Sequence, residues 1–306
     1  MTDMGSDVDV VIVAFRSEAV IEEAVRRTQA LGGQVVVVDH GDGGSAHRAN
    51  ALGAITLLDP TNPGFGSGQN RGIAATTSPF VLLCNPDAFV EAAAIRQGVD
   101  HLAAHPDVAA VEGVIVNSHT GQPERSQGVE VGPLHLLGRA VGARRLLALP
   151  LVRRRGARSS HLRDHVERIP PHPTEVEALA ATAILVRRTA FDQIGGFDPA
   201  YFLYGEDMDL CHRLRLREWT LVAMPDVWAS HLNGDSSESS LARELQWWRG
   251  TMTFAASWWT GGRWYGAVAA AVLRWSRLAP VHPNAAGKMF STMVAGPVAG
   301  RRKTRR

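Results

Sequence analysis

Residues Val8 to Phe15, VDVVIVAF, are apolar at nearly every position, and three similar runs follow within the first 90 residues: QVVVVD, AITLLD and FVLLCNPD. A strand with solvent on one side alternates apolar and polar residues; one covered on both faces does not. Between the runs lie helical patterns. SEAVIEEAVRRTQALGG has Ser17 placed as an N-cap and Gly32–Gly33 as a stop, and AHRANALG is a shorter helix. VAAVEGVIV, from Val108 to Val116, is a fifth strand. Apolar strands alternating with helices predict an α/β fold with a mostly parallel sheet flanked by helices. Ligands of such sheets bind at the carboxyl ends of the strands.

The alternation breaks between about Asn117 and Pro173, a stretch rich in Gly, Arg, Pro and His that reads as a partly helical excursion. It resumes with a strand and short helix in VEALAATAILVRRTAFDQIGGF, then a helix in YFLYGEDMDLCHRLRLREW and a strand in WTLVAMPDVWASHL. The last stretch holds two helical patterns, SLARELQWWRGTMTFAASWW and RWYGAVAAAVLRWSRL. The chain thus divides into 1–116, 117–236 with an inserted basic segment at 117–173, and a helical region at 237–306.

The 306 residues are 45% apolar and 20% charged, ordinary for a globular chain with a large core. The net charge of +2 argues against a general polyanion binder, and no nucleic-acid partner is expected. The charge is uneven: nine arginines fall between Arg139 and Arg168 against Asp164 and Glu167, and the chain ends RRKTRR. Such patches suit a membrane surface or an anionic ligand. The cysteines, Cys84 and Cys211, lie in apolar surroundings without CxxC spacing and read as buried free thiols. The acidic start shows no signal-peptide pattern, and WYGAVAAAVL is shorter than the ~20 apolar residues that span a bilayer.

Four stretches carry candidate chemistry. In CNPDAF, Asn85 and Asp87 stand two apart at a strand end; their oxygens suit Mg2+ or Mn2+, though Asn-Pro and Asp also form turns. NPGFGSGQNRG places Gly66 and Asn70 in a glycine-rich segment that allows close backbone approach to a ligand, or simply leads into a helix; it is neither GxGxxG nor a P-loop. Asp39 ends the second strand, where a carboxylate accepts the imide N–H of a pyrimidine or forms an Asx turn into Gly41. His231 follows a strand and becomes a natural further ligand if Asp87 holds a metal.

Glu206, Asp207 and Asp209 crowd the first turn of a helix, where the dipole favours ionised carboxylates. Asp209 has Arg213 one turn away; Asp207 has Cys211 there. The two carboxylates point about 200° apart on a helix. The candidate general base is Asp207, with Asp209 structural and Glu206 serving the helix cap or an acceptor hydroxyl.

The order of these elements, from Val8 to Ser237, resembles the inverting, nucleotide-sugar-dependent glycosyltransferases of family 2, with their GT-A fold, and within them the rhamnosyltransferase-like enzymes of bacterial cell-wall and polysaccharide assembly. The resemblance implies Asp39 as base reader, Asn85-Pro86-Asp87 in place of the DxD metal motif, Asp207 as base, and His231 as metal or diphosphate contact. It also implies a divalent cation, a UDP- or dTDP-sugar donor with dTDP-rhamnose foremost, and a glycan or polyprenyl-linked acceptor. The expected setting is cytoplasmic, with peripheral contact to the inner face of the cell membrane as one reading of the C-terminal tryptophans and arginines; packing on the protein core is the other. Two departures stand near the nucleotide site: DHGDGGS has His40 where the pattern has Asn, and AFRSE has Phe15-Arg16 where Tyr-Asn is common. A nucleotidyltransferase would need a glycine-rich basic loop directly after the first strand, where this chain has RSEAV. A catalytically silent sugar-nucleotide- or lipid-binding partner in a membrane assembly complex is the rival of another class, and Asp87, Asp207 and His231 together speak against it.

Overall fold

The computed structural model describes residues 7–124, 127–128, 130–142, 169–232, 240–278, 280 and 287. The chain forms two compact units. One comprises residues 1–129, 167–202 and 207–236, the other residues 130–166, 203–206 and 237–306. Most of the basic segment, residues 233–237 at the end of the resemblance, and the RRKTRR end lie outside the described residues.

The first unit is built on a nine-stranded sheet. Its strands are β1 (Val8–Ala14), β2 (Val35–Asp39), β3 (Ile55–Leu58), β4 (Phe80–Cys84), β5 (Ala88–Val90), β6 (Val108–Asn117), β8 (Thr174–Glu175), β10 (Ala183–Arg187) and β11 (Thr220–His231). β7 (Gln127–Gly128) and β9 (Ala178–Leu179) pair separately. β1 runs parallel to β2 and β4, and β2 to β3. β10 is antiparallel to both β4 and β6, so β6 points the same way as β4, and β11 is parallel to β6. Six strands (β1, β2, β3, β4, β6 and β11) therefore share one carboxyl edge. β10 inserts against that direction; its run AILVR resembles any buried strand, because apolar pattern records burial and not polarity.

Alternate residues of β1 explain the unbroken apolar runs. Val8, Val10 and Ile12 join one core, and Val11 and Val13 the other. The first core is closed by α1 (Ile21–Gln29), α2 (Gly44–Ala51) and α4 (Ala92–Ala104). The second is closed by α3 (Phe65–Ile73), α6 (Arg188–Gln193) and α7 (Glu206–Leu216), whose Leu210, Cys211 and Leu214 are buried. Cys84 and Cys211 are both buried free thiols. Burial, above all, pushes the Cys211 thiol up to about 12, with Asp207 and Glu112 adding to the shift against the hydrogen bond from the Leu179 backbone.

Two local readings are revised. Ser17 does not cap α1, which starts at Ile21; its carbonyl accepts from the Val20 and Ile21 N–H groups, and its Oγ accepts from the Phe15 N–H at 3.2 Å. The glycine-rich segment is itself helix from Phe65 and not a loop ahead of one. Its glycines serve close packing against the protein. A Cβ on Gly66 would lie 2.9 Å from Phe197 Cβ, and one on Gly72 would collide with the Val11 side chain. Gly72→Ala is therefore expected to destabilise. Overpacking against a β-branched core residue costs about 1–3 kcal/mol, more than the up to ~1 kcal/mol gained by replacing a helical glycine near its helix end. A urea midpoint equal to or above wild type would contradict this.

One buried carboxylate gave no signal in the sequence. Asp9 accepts from the backbone N–H groups of Gln34, Thr77 and Ser78 at 2.9, 2.9 and 2.8 Å, pinning two loops to β1.

The second unit contains α5 (Pro133–Val141), α8 (Ser240–Trp258) and α9 (Gly261–Leu278). Arg274 forks onto Glu244 through two 2.7 Å hydrogen bonds between α9 and α8, a bidentate geometry. Arg139 lies 4.0 Å from the centre of the Trp247 ring, which meets Trp248 edge-on. Trp248 and Trp259 are buried, and Trp247, Trp258, Trp264 and Trp275 are partly buried, so these rings pack into the protein.

Candidate functional site

The shared carboxyl edge gathers the strand-end residues. Register pairs Asp39 with Ala14, and Cys84 with Ile12, so Asp39, at the end of β2, and Asn85, just past the end of β4, lie on either side of β1. His231, the last residue of β11, pairs with Asn117 of β6 and Ala88 of β5. The turn between β4 and β5, closed by the Ala88 N–H on the Asn85 carbonyl at 3.2 Å, thereby carries Asp87 beside His231. Asp87 Oδ1 is 3.2 Å from His231 Nε2. A hydrogen bond of 3.1 Å from the Leu232 N–H to the Asp87 carbonyl locks the two segments together.

Glu124, which the sequence did not single out, holds the other side of the ring, with Oε2 2.9 Å from His231 Nδ1. It reaches there because the chain folds back after β6: the Glu124 N–H donates to the Ile115 carbonyl at 2.7 Å. Burial opposes a charge on His231, but the hydrogen bonds and charges of Asp87 and Glu124 outweigh it and raise the imidazole's pKa to about 9.

A divalent ion taking the place of the proton between Asp87 and His231 would meet a carboxylate oxygen, which suits Mg2+ or Mn2+, and an imidazole nitrogen, which favours Mn2+ of the two. No group of three His, Cys, Asp or Glu side chains arranged to hold a metal occurs among the described residues, and Glu124 is on the far nitrogen. A two-residue site of this kind relies on phosphate oxygens to complete the shell.

Asp39 is fully buried and serves the backbone of its own turn. Oδ1 accepts from the Gly41 N–H at 2.7 Å and Oδ2 from the Ala46 N–H, in the first turn of α2, at 2.9 Å. His40 beside it is buried, with Nδ1 3.1 Å from the Asp59 carbonyl oxygen. That oxygen only accepts, so Nδ1 carries the proton. The ring lies over α3, where a Cβ on Gly68 would come 2.5 Å from Nε2. Glycine at 68 thus makes room for the histidine.

Asn70 grips the segment after α6. Its Nδ2 donates to the Phe197 carbonyl and its Oδ1 accepts the Phe197 N–H, both at 2.8 Å. Gly195 and Gly196 before it have φ of +74° and +72°, and a Cβ on Gly196 would come 2.6 Å from Asn70 Oδ1. The carbonyls of Ile194 and Gly196 accept from Arg213 Nη1 at 3.0 and 2.7 Å. Arg213 Nε in turn donates to Asp209 at 2.6 Å, and the Tyr201 hydroxyl reaches the other Asp209 oxygen at 3.4 Å. Residues 194–197 therefore bridge α3 and α7. Asp209 is buried in this pair, whereas Asp207 is partly exposed in the first turn and accepts the Met208 N–H at 2.8 Å. Glu206, buried, heads the helix.

Residues 6–250 match the family described as glycosyltransferase like family 2. Over 79 residues the chain is 40% identical to N-acetylglucosaminyl-diphospho-decaprenol L-rhamnosyltransferase of Mycobacterium tuberculosis, a match covering 26% of each protein. The chain thus spans about a quarter of that relative's length. Over 223 residues it is 24% identical to the low-salt glycan biosynthesis hexosyltransferase Agl10 of Haloferax volcanii, covering 69% of this chain and 62% of the relative. Among solved structures, the mannosyltransferase PcManGT from Pyrobaculum calidifontis, in complex with GDP-Man and Mn2+, superposes with a TM-score of 0.54 at 14% identity, over 95% of this chain and 86% of that one. Residues 1–349 of TarS from S. aureus superpose with a TM-score of 0.50, also at 14% identity, over 95% of this chain and 90% of that one. At that identity the likeness is one of fold.

Proposed function

The chain belongs to the glycosyltransferase-like family 2, and we propose that it is a metal-dependent inverting glycosyltransferase. It moves a sugar from a UDP- or dTDP-sugar, dTDP-rhamnose foremost, to a hydroxyl of a glycan or polyprenyl-linked acceptor. The observation that carries this reading is the Asp87–His231 pair, 3.2 Å apart at the carboxyl edge of the sheet. The sugar and the acceptor class draw on the rhamnosyltransferase whose name specifies a diphospho-decaprenol.

In this mechanism Asp87 and His231 would hold the cation, which would supply charge neutralisation for the diphosphate leaving group. The protein's own residues do the rest. Asp207 takes the proton of the acceptor hydroxyl as its oxygen attacks the anomeric carbon from the face opposite the diphosphate. One displacement inverts that centre. Glu124 orients His231 from the far nitrogen, a role typical of groups behind a metal ligand. Asn70, Gly66 and Asn85 shape the donor side. For Asp39, each carboxylate oxygen accepts more than one hydrogen bond; its burial means that a base reaches it only as covering side chains give way.

Release of nucleoside diphosphate from UDP- and dTDP-sugars, with Mn2+ or EDTA and a polyprenyl-diphosphate sugar acceptor, tests the reading. Turnover confined to the metal-containing samples supports it; donor binding without turnover under all conditions favours a silent sugar-nucleotide-binding protein. For Asp87→Ala, calorimetry is expected to show donor affinity in Mn2+ falling to its value in EDTA. Equal wild-type affinity in Mn2+ and EDTA would remove Asp87 from the metal site.

A further inference from the structure

The surface of the helical unit carries an uncharged stripe. On α9 the exposed positions Tyr265, Ala269, Val272 and Ser276 recur at helical spacing along one side, and none is charged. A helix side turned to water ordinarily carries charge. Next to it, α5 exposes Leu134 and Leu137, three residues apart. Leu134 is 82% exposed and Tyr265 71%, values far above what a core or a casual surface leucine requires. The two helices are in register. A Cβ on Gly266 would lie 3.1 Å from Pro133, and Arg277 donates to the Ala140 carbonyl at 3.2 Å, so α5 and α9 run side by side in the same direction. Leu134 and Tyr265, neighbours of the Pro133–Gly266 contact, therefore share one end of the helix pair.

Charge identifies what covers this surface. Because Arg277 meets Ala140, the chain leaves both helices from the same end. The segment following α5, residues 143–168, has eight arginines against Asp164 and Glu167; the segment following α9, residues 279–306, has Lys288 and five cations in RRKTRR and no acid. An anionic bilayer supplies the opposite charge and an apolar interior, the combination that interfacial helices with leucine, aromatic and arginine residues take up. No described helix is long and apolar enough to cross a membrane.

We propose that the α5–α9 surface, with Leu134, Leu137, Tyr265 and Val272 as its apolar contacts, docks on a bilayer of anionic lipid. This rests on the reading of a membrane-borne acceptor and names the surface that reaches it. The tryptophans that first suggested membrane contact are not the inserting groups, since all six are at least partly buried within the protein.

The test is flotation of the full-length protein with vesicles of phosphatidylglycerol and phosphatidylcholine, and with phosphatidylcholine alone. Wild type is expected to float with the anionic vesicles and to be released by salt. The double variant Leu134→Ser/Tyr265→Ser, whose side chains are exposed and should leave the thermal midpoint unchanged, is expected to partition at least about tenfold more weakly, from lost apolar contact. No wild-type binding to anionic vesicles, or equal binding by the double variant, overturns the proposal. So does a wild-type dimer in solution that the double variant dissociates, which would make the stripe a protein interface. Nucleoside diphosphate release from a soluble donor is measured on the same samples: turnover without vesicle binding rejects the docking surface alone, and binding without turnover rejects the transferase reading alone.

Discussion

Asp207→Asn is expected to fold and bind donor like wild type and to lose at least about 10²-fold in sugar transfer, the lower bound for removal of a general base. Two observations choose this carboxylate over Asp209, and a third supports its charge. Asp209 is buried and held by Arg213 at 2.6 Å. A base must be ionised and must reach a hydroxyl that arrives from solvent, and Asp207 is the partly exposed one of the two. It also stands in the first turn of α7, where backbone N–H groups and the helix dipole favour its charge. Asparagine keeps the shape and the hydrogen bond from Met208 N–H, so the change removes proton acceptance and little else. Single-turnover rates, with donor affinity from calorimetry, separate the chemical step from binding. A variant that transfers at the wild-type rate would take the base away from this position, and an equal loss in donor affinity would recast Asp207 as a binding group.

The parts of the site legible in the sequence were those whose chemistry is local. Asp39, Asn85 and Asp87 could be assigned to strand ends because apolar runs stop there, and the sheet puts those ends on one edge. The Asp209–Arg213 pair followed from helical spacing alone. Glu124 was not legible: its place beside His231 depends on β6 pairing with β11 more than 100 residues away and on the chain reversing after β6, and nothing near Glu124 records either. The same applies to β10, whose composition states that it is buried and not which way it runs.

Other residues were legible as special with two uses open, ligand contact and local structure, and the hydrogen bonds and packing show the second. Gly66 and Gly72 suggested a backbone open to a ligand; they admit Phe197 and Val11 of the protein itself. Asn70 suggested donor contact and spends both ends of its amide on Phe197. Asp39 was open to base reading or to an Asx turn into Gly41, and its carboxylate does accept from the Gly41 and Ala46 N–H groups. Small and amide-bearing residues serve close packing and ligand approach by the same physical property, so composition cannot separate the two uses. Such residues still bear on function here, because they set the distance between α3, α7 and the bridge at 194–197.

That bridge makes Asp209→Asn the largest expected loss of stability. Asp209 has 2% of its side chain exposed and Arg213 13%, and breaking a buried pair by removing one charge costs about 3–5 kcal/mol because the partner stays buried without compensation. An exposed i,i+4 pair would be worth only roughly 0.3–0.5 kcal/mol. Arg213 keeps the Ile194 and Gly196 carbonyls, and asparagine can still accept from Tyr201, so the lower end, about 3 kcal/mol, is expected. Arg213→Met should lose a similar amount, and the Asp209→Asn/Arg213→Met double variant less than the sum, since removing both charges relieves the stranded one. Urea unfolding of the four proteins gives the coupling. A loss near 0.5 kcal/mol for Asp209→Asn would mean that solvent screens the pair despite its burial. Transfer per folded molecule separates the two aspartates: Asp209→Asn should retain activity once the folded fraction is counted, whereas Asp207→Asn should stay folded and inactive. The opposite pattern, a stable and inactive Asp209 variant beside an active Asp207 variant, would move the base one bend along the helix and leave Arg213 as the group that tunes it.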